Sequence, residues 1–361
     1  MKVQFLVADL NLVGGGERVA LNLAAGFSKY LGYETEVVSI QKLTSAPPFS
    51  TAPEVRIKSV DLDLHSMSIV SKVYSRACAF LRAPAILAES KPDIVLGIGT
   101  FPNLVLSFRG KSSAKKVGCE HSWFGAPTFY WKILRRLLYR KLDSVVVLTH
   151  AAEKDARGLN SRILVIPNSS PFNSSQKANL HSKKILAIGR LEYTKGFDRL
   201  IEAFSRIANK CPDWSLNLFG EGPNWVNLKK QIQALGLSDQ ITINRPTLDI
   251  AEEYRKASFL VLTSRNEGLP MVLIEALCFG LPAVAFDCPN GPRDIIKDGE
   301  TGYLVREGDI NAFSVRMMDL ISNSETLERM SESSIRHAEN FSTKHICKTW
   351  KDHFDDLVGS D

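Results

Sequence analysis

Two glutamates, Glu267 and Glu275, stand eight positions apart in the stretch SRNEGLPMVLIEALCFGLP (264–282). The apolar run around Glu275, bounded by Pro270 and Gly280, predicts a helix, in which a charge is costly unless something meets it. A carboxylate has two acceptor oxygens, which suit the paired hydroxyl groups of a sugar or a ribose. Because helical side chains tilt toward the N-terminus, both carboxylates can reach one pocket mouth. The structural alternative makes Glu267 a helix cap and Glu275 half of a core salt bridge.

A cationic pair forms the second candidate group. In the stretch AIGRLEYTKGF, Gly189 and Arg190 end a predicted strand, and Lys195 precedes a predicted helix. Point charges beside a helix N-terminus make an anion site. Pro270 is expected to be the first residue of the helix, and its first turn, 270–273, includes Met271 and Val272 and has further free N–H groups. The alternative is a pair of ordinary surface cations.

Two glycine-rich turns let the backbone approach a ligand closely. Gly15 and Gly16 follow the first predicted strand, and Gly220 and Gly222 follow a later one. Neither turn has the G-x-G-x-x-G spacing with a following acidic residue, so a dinucleotide fingerprint is poorly supported. Each turn is also consistent with a plain strand-to-helix connection.

Short apolar, β-branched segments alternate with helical patterns along the whole chain, which predicts α/β domains with doubly wound parallel sheets. The length of 361 residues favours two domains. A polar stretch rich in Ser and Asn, 167–184, predicts the boundary between them. We therefore expect domains at 1–168 and 169–342, with a C-terminal helix, 343–361, that packs back on the first.

Composition excludes several classes of protein. No apolar run approaches the ~18 residues that a membrane-spanning helix needs, and the N-terminus reads as a strand rather than a signal peptide. The six cysteines include no C-x-x-C pair, which argues against a disulfide framework or a metal site and fits a reducing cytosol. Residues 1–180 carry an excess of ten positive charges and the remainder an excess of four negative charges. We therefore expect the first domain to face something anionic.

The motifs GGxE, GRLx(3)KG, GxGP and EGx(6)E, in this order, resemble retaining nucleotide-sugar glycosyltransferases of family four. That resemblance implies the GT-B fold, in which two Rossmann-like domains face a cleft that holds the donor. By position, Arg190 and Lys195 would hold the donor diphosphate, and Glu275 would bind the ribose hydroxyls. Glu267, with N–H groups near Gly268 and Met271, would hold the transferred sugar.

The same resemblance assigns roles outside these motifs. Gly15 and Gly16 would border the diphosphate and the acceptor, and His121 in CEHSWFG matches a histidine close to the sugar. Arg245 would lie near the base, although this chain lacks a glycine that the family often has after that strand. The stretch CPNGPRDIIKDGETGYLV (288–305) resembles enzymes that build bacterial capsule, exopolysaccharide or lipopolysaccharide.

The implied activity is a cytoplasmic, retaining, metal-independent hexosyl transfer from a UDP-sugar to a hydroxyl of a lipid-linked saccharide, with no cofactor. Asp61 and Asp63 form a D-x-D pair, but it lies between predicted elements and far in sequence from the cationic residues. Three alternatives stay open: a non-catalytic nucleotide-sugar-binding subunit, another enzyme of the same fold such as an epimerase or a phosphorylase, and a dinucleotide oxidoreductase.

The densest basic and aromatic stretch is TFYWKILRRLLYRKLD (128–143). Helical spacing gives it one apolar face (Tyr130, Ile133, Leu134, Leu137 and Leu138) and a largely opposite basic one (Lys132, Arg135, Arg136 and Arg140). This pattern fits an interfacial helix at anionic lipid, and equally an ordinary helix packed on the sheet. With the basic first half, it suggests peripheral association with the inner face of the plasma membrane. Nucleic acid is not expected, since no recognised binding motif accompanies the charge.

Overall fold

The computed structural model describes residues 1–12, 15–44, 52–66, 68–108, 113–121, 129–173, 177–247 and 249–359. The chain divides into two compact units. Unit 1 comprises Met1–Ser169 and Thr343–Asp361, and unit 2 comprises Ser170–Ser342. Each unit is a parallel sheet covered by helices on both faces, so the predicted doubly wound α/β class is confirmed.

In the described part of unit 1 the sheet has seven parallel strands. Their apolar, β-branched residues are buried because helices cover both faces. The strand order is β3-β2-β1-β4-β5-β6-β7. The bounds are β1 Lys2–Val7, β2 Glu34–Gln41, β3 Arg56–Leu62, β4 Ile94–Ile98, β5 Lys115–Glu120, β6 Ser144–Val147 and β7 Ile163–Val165. The helices that precede unit 2 are α1 Gly15–Leu31, α2 Ile69–Glu89, α3 Thr100–Leu106, α4 Phe129–Leu138 and α5 His150–Ala156.

Unit 2 repeats this architecture with six parallel strands among its described residues, in the order β10-β9-β8-β11-β12-β13. The bounds are β8 Lys184–Ile188, β9 Ser215–Phe219, β10 Ile241–Asn244, β11 Phe259–Leu262, β12 Ala283–Asp287 and β13 Gly302–Arg306. The helices are α6 Phe197–Ser205, α7 Trp225–Ala234, α8 Ile250–Arg255, α9 Met271–Cys278, α10 Pro292–Ile295, α11 Ile310–Ser322 and α12 Ser324–Ala338.

The last helix, α13 (Thr343–Val358), belongs to unit 1 and packs against α1. The ring of Phe27 lies 6.0 Å from that of Trp350 and 5.5 Å from that of Phe354. A Cβ at Gly26 would lie only 2.7 Å from Thr343 Cγ2, so glycine lets the two helices approach. The C-terminal helix therefore contributes to the hydrophobic core of the first unit.

Strand order reverses direction once in each sheet. The first strand of each unit has its second strand on one side and its fourth on the other, so β1 lies beside β4 and β8 beside β11. Ligands of open α/β sheets bind outside the carboxyl ends of strands at this switch point. The loop after β8 carries the predicted cations Arg190 and Lys195, and the loop after β11 carries Glu267, whereas Glu275 lies within helix α9.

Several expectations need correction. Asp61 lies inside strand β3, with a φ of 55°, rather than between elements, and it accepts a hydrogen bond from Ser59 Oγ. Pro270 is the cap that precedes α9, which begins at Met271.

Among the described helices, none is long and apolar enough to cross a membrane.

Helix α4 also differs from the sequence prediction. Arg135, expected on the exposed basic face, is buried at 3% exposure. Most of the predicted apolar face, including Tyr130 and Leu137, is instead exposed. The alternative of an ordinary helix with its apolar face on the sheet is therefore wrong in its orientation.

Candidate active site

The centre of the site in unit 2 is an ion pair between the loops that follow β8 and β11. Lys195 Nζ donates hydrogen bonds to both carboxylate oxygens of Glu267, at 2.8 and 3.0 Å. Ser264 Oγ donates to the same carboxylate at 2.5 Å. Glu267 is only 8% exposed, so its charge depends on these donors. The structure thus joins a residue predicted to hold diphosphate with one predicted to hold the sugar.

Gly196 makes this meeting of loops possible. Its φ is +66°, in the left-handed region that favours glycine, and a Cβ there would collide with the carbonyl oxygen of Thr263. Thr263 is the residue that follows β11. The glycine after Lys195 therefore lets the first loop lie directly against the second.

Arg265 fastens the same two loops together and was not identified from the sequence. Its Nη1 and Nη2 donate to the carboxylate of Asp198 at 2.9 and 2.6 Å. Nη1 also donates to the backbone carbonyl of Tyr193 at 2.5 Å. The guanidinium carbon lies 3.8 Å from the centre of the Tyr193 ring. Burial acts to raise the pKa of Asp198, but the hydrogen bonds from Arg265 hold that pKa below its ordinary value. Arg265 is thus a positioning residue for the loop that carries Lys195.

Arg190 stands on the loop of Lys195 with a side chain that is 76% exposed. Its Nη2 lies 3.4 Å from the carboxylate of Glu192. An exposed ion pair of this kind contributes little to stability, so the guanidinium can turn toward an anion at small cost. Its predicted role in diphosphate binding stays a prediction.

The glycines after β8 and β9 bring two loops of the protein together. A Cβ at Gly220 would collide with the carbonyl oxygen of Gly189, and one at Gly222 would lie 2.6 Å from that of Leu191. Asn224 N donates to the same Leu191 carbonyl at 2.9 Å. The glycines at these positions, which were expected to let the backbone approach a ligand, therefore let two loops of the protein itself approach each other.

Glu275 lies in the second turn of α9 and is 5% exposed. Tyr254 Oη, from α8, donates to its Oε2 at 2.8 Å. The ring of Tyr254 stacks on that of Phe279, with centroids 5.1 Å apart and an interplanar angle of 10°. The sequence predicts that this charge lies at a pocket mouth rather than in apolar packing. Instead the carboxylate is largely buried and a tyrosine from a neighbouring helix holds it in place.

The N-terminus of α9 has the free backbone N–H groups that an anion site needs. Leu273 N bonds to the carbonyl of Pro270, whereas Met271 and Val272 begin the helix, where N–H groups have no intrahelical acceptor. Gly291, with a φ of +97°, lets another loop pack on Pro270 and on Gly268, because a Cβ there would collide with the proline ring. Since α9 begins at Met271, its first turn follows Glu267 closely in the chain.

Arg245 lies farther along the edge of the unit 2 sheet that is formed by the carboxyl ends of its strands. It follows β10, at the outer end of the sheet, and is exposed. The carbonyl of Asn244, next to it, accepts a hydrogen bond from Gly220 N at 3.0 Å. A contact between Arg245 and the donor base stays a prediction.

The remaining candidates belong to unit 1. Gly15 and Gly16 begin α1, and a Cβ at Gly16 would lie 3.6 Å from Ile98 Cγ2, which places this turn beside the end of β4. His121 follows β5. Burial lowers the pKa of His121 to about 4, although the side chain of Asn168 acts in the opposite direction. The imidazole is therefore neutral at neutral pH and has one nitrogen that can accept a hydrogen bond.

Comparisons with known proteins assign the chain to a family. Residues 13–169 match the family model "Glycosyltransferase Family 4", and residues 170–337 match "Glycosyl transferases group 1". An uncharacterized glycosyltransferase of Haemophilus influenzae is 30% identical, and the alignment covers 97% of this chain and 99% of that protein. The chain belongs to the family-four glycosyltransferases.

Two further relatives of this glycosyltransferase have more specific names. The amylovoran biosynthesis glycosyltransferase AmsD of Erwinia amylovora is 29% identical over 97% of this chain and 99% of its own length. A Campylobacter jejuni enzyme is 27% identical over 97% of both chains. Its name is GalNAc-alpha-(1->4)-GalNAc-alpha-(1->3)-diNAcBac-PP-undecaprenol alpha-1,4-N-acetyl-D-galactosaminyltransferase.

Solved structures show the same fold. TarM superposes with a TM-score of 0.81 at 17% identity, covering 98% of both chains. Anabaena HepE, solved in complex with UDP, gives a TM-score of 0.75 at 17% identity and covers 99% of this chain and all of its own. The predicted GT-B fold of the glycosyltransferase is thereby confirmed.

Proposed function

We propose that this glycosyltransferase moves a sugar from a UDP-sugar to a hydroxyl of a lipid-linked saccharide in surface polysaccharide synthesis, with retention of configuration. The observation that carries the proposal is the Lys195–Glu267 pair, which lies at the switch point of the unit 2 sheet. Cation, carboxylate and the N-terminus of α9 are the groups that a diphosphate and a sugar need.

Donor binding divides among three parts of unit 2. The ribose hydroxyls would donate to Glu275, whose carboxylate Tyr254 holds at 2.8 Å. The diphosphate would meet Lys195, Arg190 and the N–H groups of Met271 and Val272. Glu267 would accept hydrogen bonds from the transferred sugar. The UDP complex of HepE, a protein of the same fold, supports a uridine donor.

Leaving-group stabilisation would supply most of the catalysis. The bond between the anomeric carbon and the UDP oxygen breaks, and its electron pair stays on the phosphate. The acceptor hydroxyl attacks from the same face and passes its proton to that phosphate oxygen, which retains the configuration. Glu267 would hold the transferred sugar rather than act as the nucleophile, so no covalent glycosyl-enzyme intermediate would form. Positive charge from Lys195 and Arg190 replaces a metal ion.

The residues of unit 1 would serve the acceptor. The neutral imidazole of His121 would accept a hydrogen bond from a sugar or acceptor hydroxyl, and the turn at Gly15 and Gly16 would border the diphosphate. The undecaprenol-linked substrate in the name of the Campylobacter relative supports a lipid-linked acceptor. With such an acceptor, the reaction would take place at the cytoplasmic, anionic face of the plasma membrane.

A thermal-shift panel of nucleotide sugars would identify the donor, since a bound ligand raises the melting temperature. Incubation of that donor with undecaprenyl-diphosphate saccharides in EDTA should then yield a glycoside of the same anomeric configuration as the donor, as read by NMR. An inverted product would contradict the proposed mechanism. Activity that EDTA abolishes and Mg²⁺ restores would contradict metal independence.

A further inference from the structure

Helix α4 of unit 1 presents its apolar residues to solvent. Phe129, Tyr130 and Leu137 are 71%, 77% and 62% exposed, while Arg135 is 3% exposed. Ile133 and Leu134 are also exposed, at 42% and 39%. An ordinary surface helix of a globular domain has the reverse arrangement.

A buried acidic residue explains this orientation. Glu120, at the end of β5, is 3% exposed and accepts a hydrogen bond from Tyr139 Oη. Burial raises the pKa of Glu120, and the positive charge of nearby Arg135 acts to lower it. Trp131, one turn before Arg135, packs edge-to-face on Phe101 of α3, with ring centroids 6.2 Å apart. The inward face of α4 thus holds Arg135 and Trp131, with Leu138 packed on the core at its end, whereas Ile133, Leu134 and Leu137 face outward.

The neighbouring helix α2 has a similar outward face. Val70, Val73, Tyr74 and Leu81 are 79%, 63%, 65% and 76% exposed. They follow helical spacing, so they lie on one side of α2. Its Phe80 contacts Phe101 of α3 at 6.1 Å, the same ring that Trp131 of α4 contacts. Helices α2 and α4 therefore flank α3 on one face of the sheet.

Positive charge accompanies these apolar residues. Residues 129–141 contain five Lys and Arg and neither Asp nor Glu, and α2 contains three Lys and Arg and one Glu. Lys132, Arg136, Arg140 and Lys141 are exposed, as are Arg76 and Arg82 of α2. Exposed apolar side chains interleaved with cations match a lipid surface, where hydrocarbon lies beneath anionic headgroups.

We propose that the α2/α4 surface, the outward faces of these two helices, is where the protein binds an anionic lipid bilayer. A second copy of the chain fits less well, because a symmetric pairing would bring the cations of α4 against each other. A nucleic acid would leave the apolar residues without a partner. The inference rests on the proposed function only for its purpose, which is to bring unit 1 to a membrane-bound acceptor.

Cosedimentation with phosphatidylglycerol–phosphatidylcholine vesicles tests this directly. The wild-type protein should bind these vesicles, bind phosphatidylcholine vesicles far more weakly, and dissociate as salt rises. The charge-reversed variant Lys132→Glu/Arg136→Glu/Arg140→Glu should lose at least roughly 100-fold in vesicle affinity. Its matched control, Lys210→Glu/Lys229→Glu/Lys230→Glu, reverses three exposed lysines of unit 2 and should bind like wild type.

A second pair of variants tests the apolar contribution. Tyr130→Ser/Ile133→Ser/Leu137→Ser should lose at least about 10-fold in affinity for the same vesicles. The control Val226→Ser/Leu235→Ser/Val315→Ser removes three exposed apolar residues from unit 2 and should not change binding.

Three results would overturn the inference: no vesicle binding by the wild-type protein, α4 variants that bind as well as their controls, or a wild-type dimer that the apolar variant converts to monomer. Melting temperature and the UDP-induced thermal shift, measured on every variant, show that each is folded. They also separate this inference from the proposed function, because loss of vesicle binding with an intact UDP shift concerns only the α2/α4 surface.

Discussion

Lys195 and Glu267 lie 72 positions apart in the sequence, and the structure joins them by two hydrogen bonds from one ammonium group. The pair connects the carboxyl ends of the adjacent strands β8 and β11. If Lys195 binds the diphosphate and Glu267 the sugar, a bound diphosphate would compete with Glu267 for the same ammonium, which would link the two binding events electrostatically.

Replacing this lysine should impair both activity and stability. We expect Lys195→Met to lower kcat/KM by at least roughly 100-fold, because it removes charge that stabilises the leaving group. It also leaves the carboxylate of Glu267 without its cation, so the melting temperature should fall. Lys210→Met, at an exposed position of unit 2, is the control. Wild-type turnover in Lys195→Met, measured with the identified donor, would remove this residue from the catalytic site.

Tyr254→Phe should weaken donor binding while leaving the chemical step nearly intact. The variant removes the hydrogen bond that positions Glu275, so we expect the Kd for UDP to rise about tenfold with little change in kcat. Tyr303→Phe is a matched control, since Tyr303 Oη also donates to a carboxylate of unit 2, that of Asp319. If both variants bind UDP like wild type in calorimetry, Glu275 does not need Tyr254.

Arg265 tests whether the loop carrying Lys195 must be held. Arg265→Lys keeps the charge but loses the two-pronged contact with Asp198 and the stacking on Tyr193. We expect kcat to fall about tenfold. The preference of the protein for UDP over UMP should also decrease, because Lys195 is held less firmly. Arg206→Lys, at a solvent-exposed ion pair of unit 2, should have no such effect. Equal kinetics in the two variants would leave Arg265 a purely structural residue.

Acid should destabilise unit 1 through His353 of α13. Burial lowers the pKa of His353 to about 4, and its Nε2 lies 2.9 Å from Ser144 Oγ. In the unfolded state the histidine pKa is ~6.5. Between pH values of about 4 and 6.5, the unfolded state therefore binds more protons than the folded state. The free energy of unfolding should therefore fall as pH decreases from about 6.5 to 4.

The variant His353→Gln identifies the group responsible. We expect it to flatten the dependence of melting temperature on pH, leaving the part due to His121, which has a similarly lowered pKa. His150→Gln, at an exposed position, should keep the wild-type profile. A profile in His353→Gln as steep as that of the wild type would show that another group dominates.

Local patterns predicted the elements and missed the partners. Pro270 and Gly280 predicted α9 to within one residue at each end, because helix boundaries depend on nearby residue types. Neither Tyr254, 21 positions before Glu275, nor Asp198, 67 positions before Arg265, had a local signal. Such pairs depend on which loops the fold brings together.

Of the two alternatives for α4, the ordinary packed helix failed for a different reason. It places the apolar residues inward, which holds when the site beneath a helix is apolar. The buried carboxylate of Glu120 makes an arginine the better inward residue. Strand β3 was missed because it is a partly exposed edge strand with an alternating polar sequence, RIKSVDL.

The most direct test of the account compares the affinities of UDP and UMP by calorimetry. If Lys195 and the N-terminus of α9 hold the diphosphate, the wild-type protein should bind UDP at least roughly tenfold more tightly than UMP. That preference should largely vanish in Lys195→Met. In Glu275→Ala, by contrast, the affinities for UDP and UMP should fall by the same factor. Equal binding of UDP and UMP by the wild type, or an unchanged preference in Lys195→Met, would contradict the assignment of this site.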